Sequence, residues 1–320
     1  MVVENDEKKH CPKCSSNSVK LFGKTKQGKQ RYQCLRCKST YLWKQNKQIE
    51  HRRYSWFKQW ILEGLTVKQI ARLNNVSAST VNRVIQYWLQ KEPPKAKELE
   101  KVKYLILDGT YINHRTGLYV VMDGQEHKVI YGEYGISETG KHLKTFYDHL
   151  QRKGLNPLSA TIDGSLQQIK YIKETWETLI IQRCLVHIQR QGLSWLRQKP
   201  KRIDAIKLRD LLLQVIYIKT KEQSDNFKKG FKLWEDRFGL ELSRSTNRGK
   251  VFSDLLRTRS MITNALPNMF SYLEDPEISK TTNALEGYFG RLKQKYRVHR
   301  GLSPQKRKSY FNWYFYLKPI

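Results

Sequence analysis

Apolar residues recur with two different periods along this chain, one typical of β-strands and the other typical of α-helices. Three short β-rich runs separated by glycine, asparagine and charged turns predict an antiparallel meander: KYLILDGTYI at 103–112, GLYVVMDG at 117–124 and KVIYGEYGI at 128–136. Helical and strand patterns then alternate: a helix over 139–151, a strand in LSATIDG, a helix over 165–175, and a strand in TLIIQRCL that feeds a helix. This order predicts a mixed α/β layer.

Strand signals largely vanish between about 188 and 275. Three segments there have helical periodicity: KLRDLLLQVIYIK, FKKGFKLWEDRFG and VFSDLLRTRSMITNAL. We therefore expect a helical insertion within the α/β domain. From Thr281 the chain returns to a helix, followed by a very basic stretch, RLKQKYRVHRGLSPQKRK, and an aromatic cluster, SYFNWYFYL.

Composition indicates a polyanionic partner. The 320 residues carry 60 Lys and Arg against 29 Asp and Glu, a formal charge of +31, together with 8 Trp and 18 Tyr. Nucleic acid suits such a chain because neutralised phosphates release counterions; a generic basic protein or a membrane-surface binder is the alternative.

The polar N-terminus MVVENDEKKH is not a signal peptide, and no apolar run reaches about 18 residues, so we expect a soluble cytoplasmic protein without membrane segments.

Four of the five cysteines form two knuckles. Cys11-x-x-Cys14 and Cys34-x-x-Cys37 have the spacing of a tetrahedral zinc site, and the surrounding segment has little apolar content to build a core. We predict a zinc ribbon over residues 1–48. Its many lysines and arginines favour a ribbon that contacts DNA over a purely structural one.

A helix-turn-helix is predicted over residues 52–92. In LTVKQIARLNNVSASTVNRVIQYWL, Thr66 and Gln69 form a capping box, Asn74-Asn75 make the turn, and a second helix starts near Ser77. Any amphipathic helical hairpin shares this pattern. If the second helix reads a major groove, it presents polar side chains to DNA; those we assign as DNA-binding are Ser79, Thr80, Asn82 and Arg83. A Pro-Pro-Lys stretch within 92–101 then predicts a linker.

Two carboxylates follow apolar strands in LILDG and ATIDG. An Asp-Gly after a strand is ordinarily a turn, and Asp123-Gly124 is assigned to a hairpin turn on that ground. Asp108 and Asp163 differ in placement, because in a β-β-β-α-β order the first strand and the strand after the first helix lie side by side. Two adjacent carboxylates repel each other unless a divalent cation lies between them.

The region from Lys103 to about Pro304 resembles the catalytic domain of Mutator-like and related bacterial insertion-sequence transposases of the DDE class. The motifs that carry the resemblance are LILDGTY, ATIDG, RCLVHIQR and TTNALEGYFGRLKQKYR. The resemblance implies a ribonuclease-H-like mixed sheet over 101–320, interrupted by the helical insertion. It also implies that Asp108, Asp163 and Glu286 are the catalytic carboxylates and bind Mg²⁺ or Mn²⁺.

Other residues receive roles beside these carboxylates. Asn283 lies three positions before Glu286, on the same helical face, where it can support substrate or water. Cys184 and His187 match the family's C-x-x-H pair, for which we expect a role near the active site; a buried cysteine beside a hydrogen-bonded histidine is the alternative, and metal binding by this pair stays open. Basic residues after Glu286 suit phosphate contact, although a solvated surface explains them as well; we assign Arg291, Lys293, Arg297 and Arg300, and His299 shares this stretch.

The resemblance implies a transposase that cleaves insertion-sequence ends and transfers the strands into target DNA, using Zn²⁺ in the ribbon and Mg²⁺ or Mn²⁺ in catalysis. Its partner is DNA, it acts as a homodimer or higher oligomer because two ends must be paired, and it belongs to a prokaryotic nucleoid. Two other hypotheses stay open from the sequence. One is a zinc-ribbon and helix-turn-helix transcription regulator with a non-catalytic α/β domain; the other is a ribonuclease-H-like nuclease without strand transfer.

Overall fold

The structure is a computed structural model that describes residues 10–42, 46–94, 99–113, 116–136, 141–244 and 249–319. Parts of four predicted segments lie outside the described residues: 1–9 and 43–45 of the ribbon, 95–98 of the linker, 139–140 at the start of a helix, and 245–248 of the helical insertion. The chain divides into two compact units, Met1–Phe57 and Lys58–Ile320.

The first unit contains a small antiparallel sheet with strand order β1-β2-β3. Its strands are β1 (Val19–Lys24), β2 (Gln30–Cys34) and β3 (Thr40–Leu42), and helix α1 covers Asn46–Lys58. Within residues 10–42, only Cys11 and Cys34 are buried. An apolar core therefore cannot hold this sheet together, as its composition predicts.

The second unit begins with a turn of π-helix at Gln59–Glu63 and a helical pair, α2 (Val67–Leu73) and α3 (Ala78–Leu89). The predicted capping box is present, since Thr66 Oγ1 accepts from Gln69 N–H and Thr66 N–H donates to Gln69 Oε1 at 2.8 Å. Asn75 takes a positive φ of 50° in the turn between the helices, and Ser77 caps α3. Local side-chain chemistry thus starts both helices where the sequence predicts.

A five-stranded mixed sheet, in the order β6-β5-β4-β7-β8, forms the centre of the second unit. The strands are β4 (Tyr104–Asn113), β5 (Thr116–Asp123), β6 (Val129–Tyr134), β7 (Ser159–Ile162) and β8 (Ile180–Arg183). Helix α4 (Lys141–Arg152) precedes β7, and α5 (Leu166–Thr175) connects β7 to β8. The β4-β5-β6 meander is antiparallel and β4 pairs with β7 in parallel, so the predicted adjacency of these two strands is confirmed.

The two faces of the sheet are covered by different elements. Leu105 and Leu107 of β4, with Ala160 and Ile162 of β7, belong to one buried apolar cluster that includes residues of α4 and α5. Because side chains alternate along a strand, the even-numbered residues of β4 face the other side. On that side Lys293 Nζ donates to Thr110 Oγ1 at 2.5 Å, which places the helix that carries Lys293 over β4.

A second core lies in the predicted helical insertion. Its helices are α6 (Leu185–Leu196), α7 (Ile203–Gln214), α8 (Lys221–Trp234), α9 (Leu240–Arg244) and α10 (Lys250–Ala265). These helices bury a shared apolar cluster that includes Leu208, Phe231 and Leu255. The mixed α/β architecture with a helical insertion is therefore confirmed.

The last two helices, α11 (Asn283–Tyr296) and α12 (Pro304–Leu317), connect the sheet to the N-terminal helical pair of the same unit. Trp313 Nε1 donates to the carbonyls of Trp88 at 3.0 Å and Lys91 at 2.9 Å, and Tyr310 OH donates to the carbonyl of Ile61. Helix α3 is thus fastened to α12, although a predicted linker separates it from the sheet in sequence. In the described parts of the chain, every helix is too short or too polar to span a bilayer.

His299 corrects one expectation. The sequence places it in a basic stretch suited to phosphate contact or solvent, but it is only 6% exposed, and its ring lies 4.3 Å from the ring of Trp60. Its Nε2 donates to the carbonyl of Trp60 at 2.9 Å. His299 is therefore part of the packing between the helical pair and the C-terminal helices, because an aromatic neighbourhood excludes water from its imidazole.

Candidate functional site

The four knuckle cysteines converge as the sequence predicts. Their ligand atoms all lie within 4.8 Å of one another, with sulfur separations of 3.6 Å for Cys11–Cys37 and for Cys14–Cys34. A tetrahedral ion with bonds of about 2.3 Å sets its sulfurs roughly 3.8 Å apart. Backbone N–H groups point at two sulfurs, from Lys13 to Cys11 and from Cys37 to Cys34. This thiol set could bind zinc.

Strand register brings Asp108 and Asp163 to neighbouring positions. Strands β4 and β7 pair in parallel with Tyr104 opposite Ser159 and Ile106 opposite Thr161. Carrying this register two residues further sets Asp108 beside Asp163. Asp108 faces away from the α4–α5 cluster, because side chains alternate along β4, and Asp163 directly follows the last residue of β7.

The two aspartates differ in their hydrogen bonds. Asp108 is 6% exposed, and its Oδ1 accepts from Gly109 N–H at 2.8 Å. Asp163 is half-buried, and its buried Oδ1 has no hydrogen-bond partner among the residues that the structure describes. A buried carboxylate oxygen left without a donor is costly unless a cation or water satisfies it.

Gly164 and Arg183 pack directly beside Asp163. Gly164 has a φ of +95°, which favours glycine, and a Cβ there would meet the Arg183 guanidinium. Arg183 ends β8, is only 7% exposed, and donates from Nε to the backbone carbonyl of Asp163 at 3.2 Å. Burial lowers the pKa of Arg183, while the charge of Asp163 opposes that shift.

Asp123 behaves as an ordinary turn residue, as predicted. Its Oδ1 accepts from the backbone N–H groups of Gln125 at 2.9 Å and Glu126 at 3.4 Å. Of the three Asp-Gly pairs, those of Asp123 and Asp163 lie at strand ends, whereas Asp108 corrects the expectation that it follows a strand: β4 continues to Asn113, because β5 pairs with it over that length.

Glu286 lies in the first turn of α11 and is held by cationic side chains. Arg190 of α6 donates from Nη1 to Oε1 at 2.9 Å and from Nη2 to Oε2 at 3.2 Å, and His187 Nε2 is 3.4 Å from Oε1. The hydrogen bond from Arg190 lowers the pKa of Glu286. Among the described residues, only the four ribbon cysteines form a group of three or more ligand atoms within 4.8 Å, so Glu286 is not gathered with the two aspartates.

Cys184 and His187 are joined through Thr282, at the N-terminus of α11. The sulfur of Cys184 accepts from Thr282 N–H at 3.3 Å, and Thr282 Oγ1 lies 3.3 Å from His187 Nδ1. Burial raises the pKa of Cys184, but hydrogen bonds from His187 and Thr282 outweigh it and leave the pKa below its usual value. The hydrogen bond to Cys184 raises the pKa of His187 to about 9, helped by the charges of Asp108 and Asp163. These contacts join the starts of α6 and α11 near the aspartates.

The residues assigned to DNA are accessible. Ser79, Asn82 and Arg83 are exposed along α3, and Thr80 is half-buried beside its Ser77 cap. The basic residues near the C-terminal end are exposed as well: Arg291, Lys293, Arg297 and Arg300. Asn283 is exposed at the start of α11.

Two arginines at this site, Arg183 and Arg190, are not predicted from the sequence. Arg183 directly precedes Cys184 at the end of a strand, and Arg190 lies three residues after His187, one helical turn along the same face. Both lie within the RCLVHIQR motif. That motif could have directed attention to them, but only the packing shows that one adjoins Asp163 and the other pairs with Glu286.

Asp108, Asp163 and Glu286 supply oxygen donors of the kind that hard divalent cations prefer, and basic side chains surround them. Comparison with known proteins bears on this arrangement. Residues 58–301 match the family model described as Transposase, Mutator family. That range includes the helical pair, the whole sheet, the insertion and α11. No curated protein matches the chain significantly. Since the family match extends over more than half of the sequence, the chain belongs to the Mutator family of transposases.

Proposed function

We propose that this protein is a DDE transposase that cleaves the ends of an insertion sequence and joins them to target DNA. Asp108, Asp163 and Glu286 are the proposed catalytic carboxylates. One observation supports the proposal: β4, which carries Asp108, pairs in parallel with β7, which directly precedes Asp163, and the buried Oδ1 of Asp163 has no hydrogen-bond partner among the described residues. Membership of a transposase family favours this role over a transcription regulator or a nuclease.

The donor set fits Mg²⁺ or Mn²⁺. Two carboxylates side by side repel each other, and a divalent cation converts that repulsion into attraction. Asp108, Asp163 and Glu286 would hold such ions, whose chemistry there would be activation of water or a 3′-hydroxyl and stabilisation of the leaving oxygen in phosphoryl transfer. In this proposal, Asp108 and Asp163 are fixed to adjacent strands, and Glu286 approaches from α11.

The chain's own residues arrange the reaction around these acids. Arg183 holds the backbone of Asp163 through its carbonyl, and Gly164 permits that close approach. Cys184 and His187, with Thr282, fix the start of α11 and therefore the position of Glu286 and Asn283. Water as nucleophile nicks the element end, and the freed 3′-hydroxyl as nucleophile joins it to the target.

The remaining modules serve to bind DNA. We propose a zinc ribbon over 1–48, a helix-turn-helix over 52–92 and a ribonuclease-H-like domain over 101–320. Exposed polar residues of α3 are suited to a major groove, and the basic residues from Arg291 to Arg300 are suited to phosphates. Pairing of two element ends requires a homodimer or a higher oligomer, acting in a prokaryotic nucleoid.

The test is cleavage of a plasmid that carries the gene with its natural flanking DNA, in Mg²⁺ or Mn²⁺. Asp108→Asn should abolish nicking and joining while leaving DNA binding intact, because it removes a charged metal ligand without changing shape. Asp123→Asn is the matched control: it makes the same substitution in another Asp-Gly pair of the sheet, and its amide oxygen can still accept the turn hydrogen bonds, so cleavage should persist. Undiminished cleavage by Asp108→Asn would contradict the proposal. Cleavage without joining would support the nuclease alternative.

A further inference from the structure

The ion pair between Arg190 and Glu286 occupies the carboxylate that the proposed function assigns to metal. The guanidinium takes both oxygens, with Nη1–Oε1 at 2.9 Å and Nη2–Oε2 at 3.2 Å, and His187 Nε2 lies 3.4 Å from Oε1. Asp163 contrasts with this arrangement, because its buried Oδ1 has no hydrogen-bond partner within the described part of the chain. One carboxylate of the proposed set therefore lacks a donor on one oxygen, whereas Glu286 has both oxygens engaged.

A metal ion and Arg190 compete for the same oxygens of Glu286. A carboxylate that accepts two parallel hydrogen bonds has few lone pairs left in the plane where a cation binds. Glu286 can reach a metal only if Arg190 releases it or shares it. Arg190 is thus placed to control when the third carboxylate becomes available.

The pair can open without disturbing the fold. The side chains of Arg190 and Glu286 are 60% and 33% exposed, so neither is enclosed by the core. The helices that carry them are held together elsewhere: Leu185 N–H donates to the carbonyl of Lys280 at 3.1 Å, and Thr282 contacts Cys184. Separation of the two side chains therefore breaks neither of these contacts.

We infer that Arg190 is a positioning residue that holds Glu286 away from metal until a DNA phosphate replaces Glu286 on its guanidinium. The inference rests on the proposed function. Phosphate is the natural replacement, because it accepts the same bidentate pair of hydrogen bonds as a carboxylate. DNA binding and metal binding then favour each other, and linkage requires the two effects to be equal in size.

The expected coupling is modest. An exposed bidentate pair stabilises its partners by about as much as a fivefold change in affinity. Arg190→Ala should therefore raise the Mn²⁺ affinity of the DNA-free, zinc-loaded full chain about fivefold. Arg257→Ala is the matched control, since Arg257 is 64% exposed in an ion pair with Asp254 on α10; it should leave Mn²⁺ affinity unchanged.

A double-mutant cycle distinguishes competition between Arg190 and metal for Glu286 from the electrostatic effect of removing the Arg190 charge. If Arg190 acts by occupying Glu286, the gain from Arg190→Ala should disappear in a Glu286→Gln background. An equal gain in that background would overturn the inference, because loss of a nearby positive charge would then explain it. An unchanged Mn²⁺ affinity in the single variant would also overturn it.

DNA affinity gives a second readout that does not depend on catalysis. In buffer without divalent ions, Glu286→Gln frees Arg190 and should tighten binding of a labelled duplex about fivefold. The slope of log affinity against log salt should steepen by about 0.9, the value for one phosphate contact. Neither change should appear when Arg190→Ala is also present; if both persist there, the inference fails.

Asp108→Asn distinguishes failure of the inference from failure of the proposed function. If Asp108→Asn removes Mn²⁺ binding but Arg190→Ala leaves it unchanged, the metal site stands and only the inference is refuted. If the unaltered chain has no Mn²⁺ site that depends on Asp108, both are refuted.

Discussion

Acidification should weaken the second unit through a single buried imidazole. His299 is 6% exposed, donates from Nε2 to the carbonyl of Trp60, and lies against the rings of Trp60 and Tyr310. Burial lowers the pKa of His299 from 6.5 to about 4, and the hydrogen bond to Trp60 opposes that shift only in part. The folded state therefore keeps this ring neutral at a pH where the unfolded chain would protonate it.

The sign and size of the effect follow from proton linkage. Because the folded pKa lies below the unfolded pKa, the stabilisation is present above pH 6.5 and is lost as the pH falls through 4. Between pH 7 and pH 5, protonation of His299 therefore stabilises the unfolded state relative to the folded state by about 2 kcal/mol. A loss of this size is a large fraction of the stability of a typical domain.

The comparison is between the unaltered chain and His299→Gln. Glutamine can donate to the Trp60 carbonyl but does not titrate, so other ionisable groups contribute equally to both proteins. The free energy of unfolding, measured by urea titration with tryptophan fluorescence, should fall about 2 kcal/mol further in the unaltered chain between pH 7 and pH 5. If the free energy of unfolding falls equally in the two proteins, the prediction is wrong, because His299 is then not the group that takes up the proton.

Two further predictions concern the cysteine cluster and the turn beside Asp163. Cys34→Ser should lower the zinc content and expose residues 10–42 to proteolysis, because Cys11 and Cys34 are the only buried side chains there; an unchanged zinc content would contradict a four-cysteine site. Gly164→Ala should lower the free energy of unfolding by about 1–3 kcal/mol, since φ is +95° and a Cβ would meet Arg183. Gly290→Ala, in open space on α11, should instead stabilise the chain by up to about 1 kcal/mol, and equal effects at the two glycines would rule out backbone strain at Gly164.

Local chemistry made much of the fold predictable. The capping box of Thr66 and Gln69, the cysteine knuckles and the period-2 strands each depend on residues a few positions apart, so their patterns are complete within a short window. Adjacency of strands β4 and β7 is also predictable, because the order of strands and helices leaves few ways to connect them. The assignment of Glu286 depended on resemblance, since a glutamate on a helix has no local signature of its own.

The secondary-structure elements, the charge and the candidate metal-binding residues can therefore be predicted from the sequence. Tertiary structure alone decided which side chains meet across long stretches of chain. Arg190 and Glu286 are 96 residues apart and pair closely, and His299 contacts Trp60 across 239 residues. The physical reason is that such contacts arise from how helices pack on the sheet and on one another. This packing buries His299, although it lies in a basic stretch of sequence, and it pairs Glu286 with the cationic side chain of Arg190.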